Sequence, residues 1–315
     1  MKKALCSLAL VLSFLLNPYC FAAIHRFEKI SDHCYFFESK GETPNVAAIV
    51  SDDGVLLVDP PGDPDPASAL DALKKLTSRP VRWVVSTDYR FACSGGAARF
   101  LDQGAVVLWS GQLVSLVSAE AADGSEPENK SGKACLSTPR LVFDRQMRVF
   151  PGGVEVRIIA VQHRAHTGGD VMAFVPAEKV LIVGELYAAG KYPEIDINPG
   201  DGSALGWLDA MKQAIDAVPL LKSAIPQKTE IKPGEEEKSL EEMVTVISAR
   251  GPKSNLQEMK DLLEAARKLR GEIAKVVSSG RDMDSFLSSS AAAPFRIYEN
   301  FDTFARQLFD ALSNK

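Results

Sequence analysis

Short apolar runs broken by Gly, Pro and Asp fill the first two thirds of the chain, and longer stripes of helical period fill the last third. Asn45 to Val50 and Val55 to Val58 flank Ser51-Asp52-Asp53-Gly54. This is the pattern of a β-hairpin, because Asp-Gly readily adopts the positive φ that such a turn needs. Leu70, Leu73 and Leu76 recur at helical spacing after Pro66, predicting a helix over Ala67 to Leu76. Val81 to Ser86 reads as a buried strand, Gly95 to Leu101 as a short helix, and Ala105 to Trp109 as another strand. Met147 to Phe150 and Val154 to Val161 form a strand pair around Pro151-Gly152-Gly153. Val171 to Val175 and Lys179 to Val183 form the next hairpin, turning at Pro176-Ala177-Glu178. Strand and helix in alternation are the signature of an α/β domain.

The spacing predicts a helix from Ser203 to Val218, then a last sheet strand from Leu221 to Pro226. Ser118 to Pro139, rich in Ala, Ser, Gly and charge, reads as a mobile surface loop with at most a helical turn. Lys232 to Lys238 is a charge run suited to an exposed connector. Beyond it, Leu256, Met259, Leu262, Leu263, Ala266, Leu269, Ile273, Val276 and Val277 keep one apolar face, with Gly280 as the stop. Phe301, Phe304, Leu308 and Leu312 make a second stripe. Both stripes are expected to bury against the body of the protein.

Composition changes the picture at the amino terminus. Lys2 and Lys3 precede a nearly continuous apolar run from Leu5 to Leu16, and Cys20-Phe21-Ala22 supplies a small-residue cleavage site. These are the parts of a signal peptide over residues 1–22, and the run is too short for a comfortable membrane span. The expectation is export to the periplasm or secretion, with no stable membrane span after cleavage. The chain carries 36 basic and 41 acidic residues, a formal net charge of −5, and losing Lys2 and Lys3 takes this to −7. Such a balance gives no electrostatic reason to bind nucleic acid or anionic lipid. Three cysteines would remain, Cys34, Cys93 and Cys135. Two arrangements are open: one disulfide, Cys93 with Cys135, beside one free thiol, or three unpaired thiols.

The candidate chemistry gathers at Thr87-Asp88-Tyr89-Arg90-Phe91-Ala92-Cys93-Ser94-Gly95-Gly96, where a strand ends and a Gly-Gly step opens a helix. Further on stand Ala165-His166-Thr167-Gly168-Gly169-Asp170 and Gly184-Glu185-Leu186. Together these resemble, in order, the motifs of the metallo-β-lactamase fold family: Thr-His-x-His-x-Asp-His before Gly-Gly, then Ala-His-Thr-x-Gly-Asp, then Gly-Asp-Leu. Asp59-Pro60-Pro61-Gly62 resembles its Asp-Thr-Gly. Lys191-Tyr192-Pro193, Gly202-Ser203 and Gly206-Trp207-Leu208 resemble the branch holding quinoprotein-associated hydrolase homologues. The resemblance runs from about Asn45 to Pro226.

It implies a four-layer αββα sandwich, here a domain over 23–230 with a helical C-terminal extension over 231–315 packed on it. It also implies hydrolysis by a metal-activated hydroxide, which needs neutral imidazoles and carboxylates closing on zinc or iron. Carried over residue by residue, one metal site would hold Asp88, Arg90 and His166. The other would hold Ala92, Cys93 and Lys228, the last from Pro226-Gln227-Lys228-Thr229, with Glu185 bridging. Arginine does not give up its proton and alanine has no donor atom, so the dinuclear centre is not expected. The leading expectation is that no metal cofactor is bound. Arg90 and Lys228 would neutralise Asp88 and Glu185 instead, leaving a pseudoenzyme that binds a periplasmic small molecule or protein. The alternative is a hydrolase with one Zn or Fe ion on Asp88, His166 and Glu185, or with Cys93 as nucleophile.

Overall fold

The structure, a computed structural model, describes residues 26–40, 43–61, 66–90, 96–122, 139–218 and 241–314. The leader, Cys93, Cys135, Lys228, the expected strand from Leu221 to Pro226 and the charge run after Lys232 lie outside them. Two sheets stand face to face. In the first, β1 (Glu28–Lys29), β2 (Cys34–Phe37), β3 (Val46–Ser51) and β4 (Gly54–Val58) form an antiparallel meander. The parallel strands β5 (Val81–Val85), β6 (Val106–Ser110) and β7 (Leu141–Phe143) continue it. The switch to parallel pairing follows from α1 (Pro66–Leu76) and α2 (Gly96–Leu101), because parallel strands need a crossover between them.

The second sheet is built on the antiparallel run β8 (Gln146–Val149), β9 (Val156–Ala160), β10 (Val171–Val175) and β11 (Val180–Gly184). Then β12 (Thr245–Ser248) adds parallel to β11, and β13 (Ser254–Asn255) pairs antiparallel with β12. Alternate side chains of each strand enter different cores, as the two-residue period of a strand requires. Val171, Ala173 and Val175 face the gap between the sheets, where they meet Ala47, Ile49, Leu56 and Val58. Met172 and Phe174 face outward into a core shared with α4 (Ala204–Asp216), α5 (Leu256–Ser278), α6 (Met283–Leu287) and α7 (Phe301–Ser313). On the far side of the first sheet, Ala48, Leu57, Val84 and Trp109 pack against α1, α2 and α3 (Gly111–Ala122). Three cores between four layers make the α/β class and the αββα sandwich plain. They also explain why the strands read as apolar runs: both faces of each sheet are covered.

Three departures from the sequence reading have physical reasons. Helix α3 extends to Ala122 where a loop was expected from Ser118, because Gly111, Ser115 and Ser118 dilute a stripe that buries Leu113 and Val117. The region beyond 231 is not helical throughout, since β12 and β13 complete the second sheet before α5 begins. Strands β1 and β2 went unread, being short and lacking alternation.

Helix α7 is bonded to the body by aromatic packing. Phe304 is fully buried, stacks on Tyr192 with ring centroids 5.1 Å apart, and meets the Trp207 ring edge-on at 5.3 Å. Phe304→Ala should lower stability by about 3–5 kcal/mol through lost burial and a residual cavity. Urea unfolding checks this. A loss below about 1 kcal/mol would show that α7 is peripheral to the core.

Candidate functional site

The strand ends meet at one rim of the sandwich. Asp59 follows β4, Thr87-Asp88-Tyr89-Arg90 follows β5, Glu185 follows β11, and His166 sits on the loop before β10. The backbone there is tightly determined. Asp59 adopts a positive φ of 53° and accepts hydrogen bonds from the Thr87 N–H at 2.7 Å and the Thr87 hydroxyl at 2.6 Å. Burial pushes the Asp59 carboxyl well up, an effect the Thr87 donors only partly offset. Gly184 has φ 58°, and a Cβ there would collide with the Thr87 side chain, so the approach of β11 to this loop requires glycine.

His166 is 2% exposed, and its Nδ1 lies 2.5 Å from the Glu194 carbonyl oxygen. A carbonyl only accepts, so Nδ1 carries a proton and Nε2 of the neutral ring is an acceptor. The Arg90 Nη2 donates to that Nε2. The same nitrogen lies 3.6 Å from Asp88 Oδ2 and 3.8 Å from Glu185 Oε1. Asp88 Oδ2 is in turn 3.7 Å from His166 Nε2. Asp88 and Glu185 are 1% and 14% exposed at their side chains, whereas Arg90 keeps 38%. Burial works against the Arg90 charge, but Asp88, Glu185 and Asp196 outweigh it, and the guanidinium pKa is raised. The arginine is therefore charged throughout the working pH range.

The structure thus brings Asp88, Arg90, His166 and Glu185 together, while Cys93 and Lys228 lie outside the described residues. Arg250 was missed. It follows β12, where Asn45 Nδ2 donates to the carbonyls of Ser248 at 3.0 Å and Gly251 at 2.8 Å, fixing the turn. Arg250 Nε donates to Glu185 Oε1 at 2.8 Å. The strand beside β11 is thus Thr245–Ser248, and its end carries Ser248-Ala249-Arg250-Gly251. A cation one residue before a glycine, just past the apolar run Val244 to Ile247, was the available signal. Tyr89 and Asp196 were also missed: the Tyr89 hydroxyl donates to Asp196 Oδ2 at 2.7 Å.

A metal ion does not fit this donor set as it stands. The lone pair of His166 Nε2 is engaged by the guanidinium, whose nitrogen lies too close for a zinc ion bound at about 2.0–2.1 Å to share the space. At about 4 Å and an effective dielectric near 20, a divalent ion would also be repelled by the arginine by about 8 kcal/mol. Among the described residues no group of three His, Cys, Asp or Glu side chains is arranged to hold a metal.

Two predictions follow from this geometry. Arg90→Ala removes a cation 3.6 Å from the buried Asp88 carboxylate. Breaking a buried pair costs about 3–5 kcal/mol, and the solvated outer part of Arg90 places this case near the lower bound, about 2–3 kcal/mol at pH 7. Urea unfolding at pH 7 checks this, and a variant as stable as its parent would contradict a buried pair. Asp170, buried and bonded to the Thr167 N–H at 3.0 Å, is pushed up to about 6, chiefly by burial. Its folded pKa exceeds the unfolded value near 3.9, so its stabilising contribution is present below that value and is lost as pH rises through about 6. The urea midpoint should therefore rise from pH 7 to pH 5, and by less in Asp170→Asn. An identical rise in the variant would assign the effect elsewhere.

Comparison with known proteins accords with this architecture. The structure is similar to the metallo-beta-lactamase from Pontibacter korlensis, with a TM-score of 0.54 at 19% identity over 77% of this chain and 98% of that one. It is similar to DIM-1 metallo-beta-lactamase at TM-score 0.55 and 14% identity, covering 77% and 97%. A double mutant of the sec-alkyl sulfatase PisA1 reaches TM-score 0.60 at 13% identity, covering 91% of this chain but 50% of that one. At these identities the likeness shows the fold. No curated protein matches the sequence significantly. The sequence profile of the Metallo-beta-lactamase superfamily matches residues 40–221, more than half of the chain, and the protein belongs to that superfamily.

Proposed function

We propose that the protein is an exported pseudoenzyme of the superfamily, whose crevice binds a small molecule or a protein partner in the periplasm. The observation that carries this reading is the Arg90 Nη2 held among His166 Nε2, Asp88 Oδ2 and Glu185 Oε1. Superfamily hydrolysis needs an open coordination position and a water whose proton the metal weakens. A guanidinium supplies charge in the same place but no coordination site, so it neutralises the carboxylates without activating water. Arg250 meets the same Glu185 oxygen, its Nε donating to Oε1 at 2.8 Å. Two arginines against Asp88 and Glu185 leave a charge-balanced cluster, and the exposed part of Arg90 keeps it open to a ligand. The single-metal alternative on Asp88, His166 and Glu185 needs the imidazole lone pair that Arg90 uses.

Export rests on Lys2, Lys3 and the apolar run before Ala22. Among the described residues no helix is long and apolar enough to cross a membrane.

Elemental analysis of protein purified without added metal tests the reading. The expected result is no stoichiometric zinc, iron or manganese in the parent. Stoichiometric metal in the parent that disappears in Asp88→Ala would return the protein to the hydrolases.

A further inference from the structure

The segment from Gly190 to Asp196 separates the crevice from the C-terminal extension and is bonded on both sides. On the crevice side, the Glu194 carbonyl accepts a hydrogen bond from His166 Nδ1–H, and Asp196 accepts from the Tyr89 hydroxyl and donates its own N–H to the His166 carbonyl at 2.9 Å. On the other side, the Tyr192 N–H donates to the Glu299 carbonyl at 3.0 Å, and the Glu299 N–H to the Gly190 carbonyl at 2.9 Å. Lys191 pairs with Glu299 at 2.7 Å. Asn300, at the start of α7, points its amide nitrogen at the Tyr192 carbonyl and at Glu194 Oε1, at 3.5 and 3.4 Å. Two turns further on, Gln307 Nε2 donates to the Ile195 carbonyl at 3.0 Å, across 112 residues of sequence.

The Gln307 amide is informative because it is half used. Its Oε1 is buried and has no hydrogen-bond partner among the described residues. Burying an unpaired acceptor is unfavourable, so packing alone would be better served by an apolar side chain of the same length. The donor half justifies the residue, and what it holds is the peptide carbonyl next to Glu194. From these contacts we infer that Gln307 is a positioning residue for the crevice: through Ile195 and Glu194, α7 fixes the His166 tautomer that presents Nε2 as an acceptor to Arg90. The C-terminal extension is then part of the site, although the superfamily profile ends at residue 221. Any partner or substitution that displaces α7 would loosen the crevice without touching it. The inference rests on the reading of this crevice as the binding site.

The test reads the imidazole itself in the full-length chain. Long-range proton–nitrogen NMR spectra of histidine-labelled protein, assigned with His166→Gln, give the ratio of Nδ1–H to Nε2–H forms. The parent should show the Nδ1–H form. Gln307→Ala should shift the ratio toward Nε2–H by about fivefold, the worth of one net hydrogen bond, and Gln307→Lys, which keeps a donor, should restore it. Should the alanine variant not fold, Gln307→Met keeps the length, lacks the donor and carries the same expectation. An unchanged tautomer ratio in a folded variant that is merely less stable would overturn the inference and leave α7 a packing element. This outcome is independent of metal content, so a failure here is distinct from a failure of the functional reading.

Discussion

One guanidinium nitrogen organises the crevice. Arg90 Nη2 donates to an imidazole whose other nitrogen is tied to the main chain, and it faces two carboxylates with little access to water. Remove that charge and Asp88 is left nearly buried beside a second acid, with Asp59 close behind. Carboxylates so placed tolerate one another only because a fixed cation stands among them. The αββα scaffold brings acids to the rim of its two sheets, and some cation must answer them. Arg90 is one such cation, and being covalently attached it cannot dissociate.

The consequence for chemistry is a matter of geometry. A divalent ion offers several coordination positions and can hold ligands and a water together. An arginine offers N–H groups in one plane, and here Arg90 Nη2 is directed at an acceptor of the protein itself, His166 Nε2. Arg250, aimed by the turn that Asn45 fixes, meets Glu185 in the same manner. Arg90 Nη2 and Arg250 Nε are engaged, while the buried Arg90 Nε has no hydrogen-bond partner among the described residues. What remains for a ligand is the outer part of Arg90 and the surrounding rim.

Much of the architecture was legible in the sequence. The hairpin at Asp53-Gly54, the β10–β11 pair and the α5 and α7 stripes follow from local rules of period and turn chemistry. The placement of Asp88, Arg90, His166 and Glu185 was legible because each falls in a motif with a strict order. The partners that complete the site were not. Arg250 comes after a strand only four residues long, placed in the sheet by pairing with β11 rather than by its own pattern. Asp196, Glu194 and Gln307 act through contacts between residues distant in the chain, and no local spacing encodes those. The strand expected from Leu221 to Pro226 lies outside the described residues; among them, the strand beside β11 is Thr245–Ser248.

The account turns on a single hydrogen bond, and that bond has a direct signature. In uniformly nitrogen-labelled protein, a scalar coupling between Arg90 Nη2 and His166 Nε2 passes only through a shared proton. The account predicts a resolved coupling, together with slowed rotation of the Arg90 guanidinium, in protein prepared without added metal. Absence of the coupling, with the His166 Nε2 resonance shifting when a chelator is added, would show a metal where the arginine is placed here and would contradict the central claim.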